Sequence, residues 1–100
     1  MDPRNRSIES WLVRARGLVQ GIGYRQACIH HARALGVTGW VRNRMDDSVE
    51  AMLQGTPQQL EAMSAWMRDG MSAAIVDELV VEKMPPPFTH FDHFERLPTQ

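Results

Sequence analysis

Residues 17–27 read Gly-Leu-Val-Gln-Gly-Ile-Gly-Tyr-Arg-Gln-Ala, with glycines at 17, 21 and 23, no acidic side chain, and an arginine at 25. Glycine lets the backbone adopt positive φ, so successive N–H groups can turn inward as a nest. A helical repeat begins at Tyr24, and a helix directs its unpaired N–H groups and its dipole at whatever precedes it. Arg25 therefore sits in a first helical turn, where a cation opposes the dipole. An anion held between them would remove that conflict, since a planar guanidinium can grip phosphate through two parallel hydrogen bonds. The chemistry available to this stretch is the holding of an anion. A plain glycine-rich connection with Arg25 in solvent is the alternative, and the loop alone leaves both open.

Three known phosphate-loop patterns fail here. There is no Gly-Lys pair for a nucleotide P-loop. The dinucleotide fingerprint would need glycine at 26, where glutamine stands, in a longer chain. A Cys-x5-Arg phosphatase loop would need its thiolate nucleophile at position 19, which is valine.

The flanking sequence supplies elements to position the loop. Residues 9–16 alternate, with Trp11, Val13 and Ala15 on one face and Leu12, Arg14 and Arg16 on the other, as in a half-buried strand that the glycine-rich stretch ends. Tyr24, Ala27, Cys28, His31, Ala32 and Leu35 share one helical face, and Gly36 is a C-terminal stop. A strand over 37–43 places Val41 and Asn43 on one face and Trp40 and Arg42 on the other. A turn at Arg44–Asp47 leads to a strand with Val49, Ala51 and Leu53 inward and Glu50, Met52 and Gln54 outward. Thr56 and Pro57 open a second helix, whose stripe is Leu60, Met63, Trp66 and Met67 and whose end is Gly70. A longer strand starts near Ile75, prolines at 85–87 prevent further ladder donation, and residues 93–97 suit an edge strand. The order β-α-β-β-α-β, with an optional last strand, predicts an α+β, ferredoxin-like split β-α-β sandwich. Its antiparallel sheet carries two helices on one face. Residues 1–7 read as a disordered N-terminal tail and 8–100 as a single domain.

Three segments then carry a resemblance: Gly-Leu-Val-Gln-Gly-Ile-Gly-Tyr-Arg at 17–25, Leu-Gly-Val-Thr-Gly-Trp-Val-Arg-Asn at 35–43, and, after an acidic turn, Val-Glu-Ala-Met-Leu-Gln-Gly at 49–55. The conjunction resembles the acylphosphatases, whose pattern is G-x-V-Q-G-V-x-[FY]-R, L-G-x-x-G-[WY]-V-x-N, D-G-x-V-E and a later Q-G. It runs from Val13 to Gly55 and continues more loosely beyond. The resemblance implies a small hydrolase, without metal or cofactor, that splits acyl phosphates into a carboxylate and inorganic phosphate. It assigns phosphate binding to Arg25 and to the cradle of Gln20, Gly21, Ile22, Gly23 and Tyr24. It assigns water orientation to Asn43, so Arg25 and Asn43 are the catalytic candidates.

The expected topology agrees. The first and second strands of a split β-α-β sheet are parallel with the third between them. The loop after Arg16 and the end at Asn43 then lie at one edge, roughly 10 Å apart. Two departures stand out: Asp46-Asp47 replaces the usual Asp-Gly, which implies a small stability cost or a shifted turn, and Gly70-Met71 replaces the frequent Gly-Pro.

Other features narrow the function. The chain has 100 residues, 43% apolar and 23% charged, enough for one modest core. Its net charge of −1 gives no global attraction for nucleic acid or anionic membrane. The lone Cys28 lies on an apolar stripe, as a packing residue. The start is polar, with no signal peptide or transmembrane run, which places the expected protein in the cytoplasm; a monomer is the expected state. His30 and His31 diverge on a helix, and His90 and His93 lack matching ligands, so no metal is expected. RNA-binding domains of this fold stack bases on exposed aromatics of the central strands, and the outward row Glu50, Met52, Gln54 has none. The remaining alternative is a non-catalytic acylphosphatase-like module that binds a phosphorylated ligand such as carbamoyl phosphate. Such domains occur at one end of larger maturation proteins, whereas this chain reads as standing alone.

Overall fold

The computed structural model describes residues 7–100. The tail expected over residues 1–7 falls, apart from Ser7, outside the described residues. The elements are β1 (Glu9–Leu18), α1 (Tyr24–Leu35), β2 (Thr38–Asn43), β3 (Val49–Gly55), α2 (Pro57–Asp69), β4 (Ile75–Met84) and β5 (Phe94–Arg96). They form one sheet in the order β4-β1-β3-β2-β5. β3 runs antiparallel to both β1 and β2, so those two strands are parallel. The expected α+β, ferredoxin-like sandwich is the observed one, with β5 added parallel to β2 at the edge.

The core lies between the sheet and the helices. Val13, Ala15, Val41, Val49, Ala51 and Leu53 from the strands meet Tyr24, Cys28, Ala32, Leu60, Met63 and Met67 from the helices, all fully buried. These are the inward residues that period 2 and period 3.6 single out. Ile29, outside the expected stripe of α1, is buried as well, because α1 packs on β5 in addition to β2.

Both helices are closed by local chemistry. Gly36 adopts positive φ and Val37 N–H donates to the Ala32 carbonyl at 2.8 Å, ending α1. Thr56 Oγ1 accepts from Gln59 N–H, and Gln59 Oε1 accepts from Thr56 N–H, a reciprocal box that starts α2. The Gln59 amide also donates to the Leu35 carbonyl at 3.0 Å, tying the start of α2 to the end of α1.

Tertiary structure corrects the expected end of β1 and sets two further strand features that local alternation does not give. β1 continues to Leu18 rather than ending at Arg16, through an irregularity between Arg16 and Gly17. That shift lets Val76 and Leu79 of β4 both pack on the core although they are three residues apart, while Ile75, Val80 and Val81 are exposed. Simple alternation would have put Val76 and Leu79 on opposite faces.

The outward row of β3 is not solvated: Glu50 is 3% and Gln54 2% exposed. Gln54 donates to Ser10 Oγ and to the Thr89 carbonyl and accepts from Phe91 N–H, because the segment after β4 folds across this end of the outer face. Glu50 lies under Arg14, Arg42 and Arg44, with N···O distances of 3.1, 2.9 and 3.3 Å. Arg42 also stacks over Trp40 at 4.7 Å.

The turn Arg44–Ser48 keeps its hairpin geometry with Asp47 at φ 72°. Asp46 compensates: its carboxylate accepts from Ser48 N–H at 3.1 Å and from Ser48 Oγ at 2.6 Å. Asp47→Gly is expected to stabilise the chain by about 1 kcal/mol, by relieving left-handed strain, in urea unfolding.

Burial raises the pKa of Glu50, but hydrogen bonds from Arg14 and Arg42 and the charges of Arg42 and Arg44 outweigh it and hold the carboxyl below its usual value. A lowered folded pKa stabilises fully above the unfolded value of about 4.3 and is lost as pH falls through the folded value. Glu50→Gln is expected to cost roughly 2–4 kcal/mol near neutral pH, because it leaves the arginines without their anion. It should also flatten the loss of stability below about pH 4.3, measured as urea midpoint against pH.

Candidate active site

β1 delivers the chain into the glycine loop at the same end of the sheet where β2 finishes at Asn43. Gly21 and Gly23 take φ 77° and 81°, and a Cβ at either would meet nothing within 4 Å. Glycine is therefore required there by conformation rather than by space. Gly23 is the N-cap of α1, with no side chain capping the first turn and no acidic residue in it. Among the described residues, none of the backbone N–H groups from Gly21 to Gln26 donates to another residue. Apart from Ile22, these residues line a cavity of about 90 Å³.

Gln20, Gly21, Gly23, Tyr24 and Arg25 line the cavity from the loop side and Asn43 from the strand, with Val19, Gln26 and Arg96 completing it. Arg25 is half-buried, and the Asn43 Oδ1 atom is buried with no hydrogen-bond partner among the described residues. A buried acceptor costs free energy unless something donates to it, so Oδ1 is an unmet site for an O–H or N–H group. Asn43 is held from behind, since Gln100 N–H donates to its carbonyl at 3.1 Å and Val49 pairs with it across the ladder.

The structure brings together all but one of the residues singled out in the sequence. Ile22 does not line the cavity; its side chain packs against the core. Tyr24 contributes from its backbone side only. Its ring is buried and its hydroxyl donates to the Met67 carbonyl at 2.6 Å, which locks the start of α1 to the end of α2. Burial, with a smaller contribution from Cys28, pushes that phenol well above its usual pKa.

The side-chain amide N–H groups of Gln20 are spent within the chain. Its amide donates to the carbonyls of Arg44 at 3.0 Å and Ser48 at 2.9 Å, joining the loop to the turn that follows Asn43. No spacing in the sequence signals this tie.

Arg96 and Gln26 were not anticipated. For Arg96 the one signal is its position two residues after the apolar Phe94, which places both on the same face of an edge strand. Cys28 is buried and its thiol is pushed up to about 12 by that burial, so it remains protonated. His31 is half-buried against Trp66, stacked at 4.7 Å. Among the described residues no group of three or more His, Cys, Asp or Glu side chains is arranged to hold a metal. A larger groove of about 480 Å³ on the outer face, lined by Trp40, Met52, Phe88 and Phe91, presents no cationic side chain.

The family model for acylphosphatase matches residues 11–95. This chain belongs to the acylphosphatase family. It is 69% identical over 88 residues to an acylphosphatase 1 of Ralstonia nicotianae, covering 88% of this chain and 86% of that one. It is 56% identical over 95 residues to an acylphosphatase of Polaromonas naphthalenivorans, covering 95% and 94%. A crystal structure of acylphosphatase from Bacillus subtilis superposes with a TM-score of 0.84 at 24% identity, over 89% of this chain and 98% of that one. A full-length HypF structure, in a phosphate- and nucleotide-bound form, also superposes with a TM-score of 0.84 at 21% identity, but over 13% of its own length. At these identities the two structures speak for the fold alone.

Removing the Gln20 tie should loosen this acylphosphatase loop relative to Asn43. Gln20→Ala is expected to weaken inhibition by inorganic phosphate about 10-fold while circular dichroism stays native, since a small misplacement of a binding group is costly.

Proposed function

We propose that this acylphosphatase hydrolyses acyl phosphates by direct attack of water on phosphorus, without a covalent enzyme intermediate. Arg25 and the unpaired N–H groups of Gly21 to Tyr24 hold the phosphoryl oxygens. Asn43 Oδ1 accepts a hydrogen bond from the attacking water and aims its oxygen at phosphorus. The oxygen–phosphorus bond to the acyl group breaks, and the carboxylate leaves with the electron pair. A carboxylate is a weak base and needs no general acid, which suits a cavity lined by none. An amide is no base at neutral pH, so the water's proton passes to a phosphoryl oxygen of the substrate. Phosphoryl transfer of this kind depends on positioning and charge stabilisation, and the lining offers both.

The observation that carries this reading is the buried, unpartnered Asn43 Oδ1 in the same cavity as Arg25 and the open loop donors. It accounts for two local oddities together: a cation in a first helical turn and a buried acceptor with no donor. The same reading includes work without metal or cofactor, a monomer, residues 8–100 as one domain, and a cytoplasmic setting. Among the described residues no helix is long and apolar enough to cross a membrane.

The test is turnover of benzoyl phosphate with chelator present. Asn43→Ala is expected to lower kcat by about 10²–10³-fold, as for loss of one preorganised transition-state contact. Arg25→Lys is expected to lower kcat/KM by a similar factor, because an ammonium cannot reproduce the fork. Retention of most turnover by either variant would overturn the assignment. Phosphate binding with no turnover in the unmutated chain would favour the non-catalytic module.

A further inference from the structure

The described arginines divide by partner. Arg14, Arg42 and Arg44 are tied to Glu50, Arg16 to Asp46 and Glu78, and Arg33 to the Phe94 carbonyl. Arg25, Arg68 and Arg96 hold no ion pair or hydrogen bond with another described residue, and of these Arg25 and Arg96 line one cavity. Among the described residues no carboxylate lines it. Two unpaired guanidiniums at a cavity of about 90 Å³ repel one another unless an anion lies between them.

Arg96 is not an arbitrary surface residue swung toward the site. Its strand is fastened to β2 at both ends and to α1 through Arg33. Gly39 N–H donates to the His93 carbonyl at 3.0 Å, Leu97 N–H to the Val41 carbonyl at 2.9 Å, and Arg33 to the Phe94 carbonyl at 3.1 Å. The register pairs Arg96 with Val41, two residues before Asn43 on the adjoining strand. Phe94, on the same face, is buried in the core beside the helices, so Arg96 projects from that face too. The family match ends at Glu95, so that likeness does not reach Arg96.

We propose that Arg96 is a second phosphoryl-binding arginine, contacting the phosphoryl oxygens from the β5 side while Arg25 holds them from α1. This rests on the assignment of the cavity as the active site. A phosphoryl group carries up to two negative charges, and one arginine with neutral N–H donors leaves part of that charge unmatched. A second guanidinium matches it, and its exposure lets it follow the product out as phosphate leaves.

Arg96→Gln is the test, with benzoyl phosphate as substrate and inorganic phosphate as competitive inhibitor. KM and the phosphate inhibition constant are each expected to rise about 10-fold, as for loss of one charge-assisted hydrogen bond, with kcat falling by less. Arg96→Lys should recover part of the affinity by restoring charge without the fork. Lys83→Gln, at the opposite end of the sheet beside Trp11, removes the same charge and should move neither constant. Unchanged phosphate inhibition in Arg96→Gln overturns the inference, as does an equal shift in Lys83→Gln. A KM rise confined to acyl phosphates with a carboxylate on the acyl part also overturns it, by placing Arg96 on the leaving group. Arg25→Gln in the same assay separates the two levels. If it weakens phosphate while Arg96→Gln does not, only the inference fails; if neither does, the site assignment fails.

Discussion

The amide of Gln20, donating to the carbonyls of Arg44 and Ser48, sets where the glycine loop stands relative to Asn43. An anion-binding loop faces a conflict. Its backbone N–H groups must remain unpaired to serve a ligand, so they cannot fasten the loop to the rest of the chain. The fastening must come from elsewhere. Here it comes from the Gln20 side chain on one side and the Tyr24 hydroxyl, bound to the Met67 carbonyl, on the other. Between those anchors the loop keeps its donors open and Arg25 tolerates a helical position that its charge would otherwise avoid.

The outer face of the sheet serves the same end. Glu50 sits on the rung next to the site and holds Arg14 of β1, Arg42 of β2 and Arg44 of the following turn. A buried carboxylate under three guanidiniums is costly to form and costlier to break, so its contribution is to register as much as to stability. Pairing in β1, β3 and β2 is thereby reinforced where the loop and Asn43 emerge. It also engages these three arginines on the outer face, whereas Arg25 and Arg96 line the cavity without an acidic partner among the described residues. A chain with a net charge of −1 can still present a strongly cationic site.

Much of this architecture was legible in the residues. The alternation of Val13 and Ala15, of Val49, Ala51 and Leu53, and the helical stripe from Tyr24 to Leu35 depend on local periodicity, and each gave its observed face. Arg25, Asn43 and the glycines converge because strand order alone puts both ends at one edge. What was not legible involves long separations. Gln20 and Ser48, or Gln54 and Phe91, meet through side chains far apart in sequence, and no period relates them. The shift between Arg16 and Gly17 changes which β4 residues face inward, and an inserted residue is invisible until two strands pair.

The sequence by itself therefore determined the element order, the inward faces of the first three strands and the two helices, and the family, and it singled out Arg25, Asn43 and the glycine loop as candidates, since these follow from local periodicity and from motifs continuous along the chain. Only the tertiary structure decided what each does in place. It tied the Gln20 side-chain amide to the turn, withdrew Ile22 into the core, buried Glu50 among arginines and brought Arg96 from the last strand to the cavity. Those outcomes depend on which distant groups compete for the same donor, charge or space, and such competition exists only once the chain has folded.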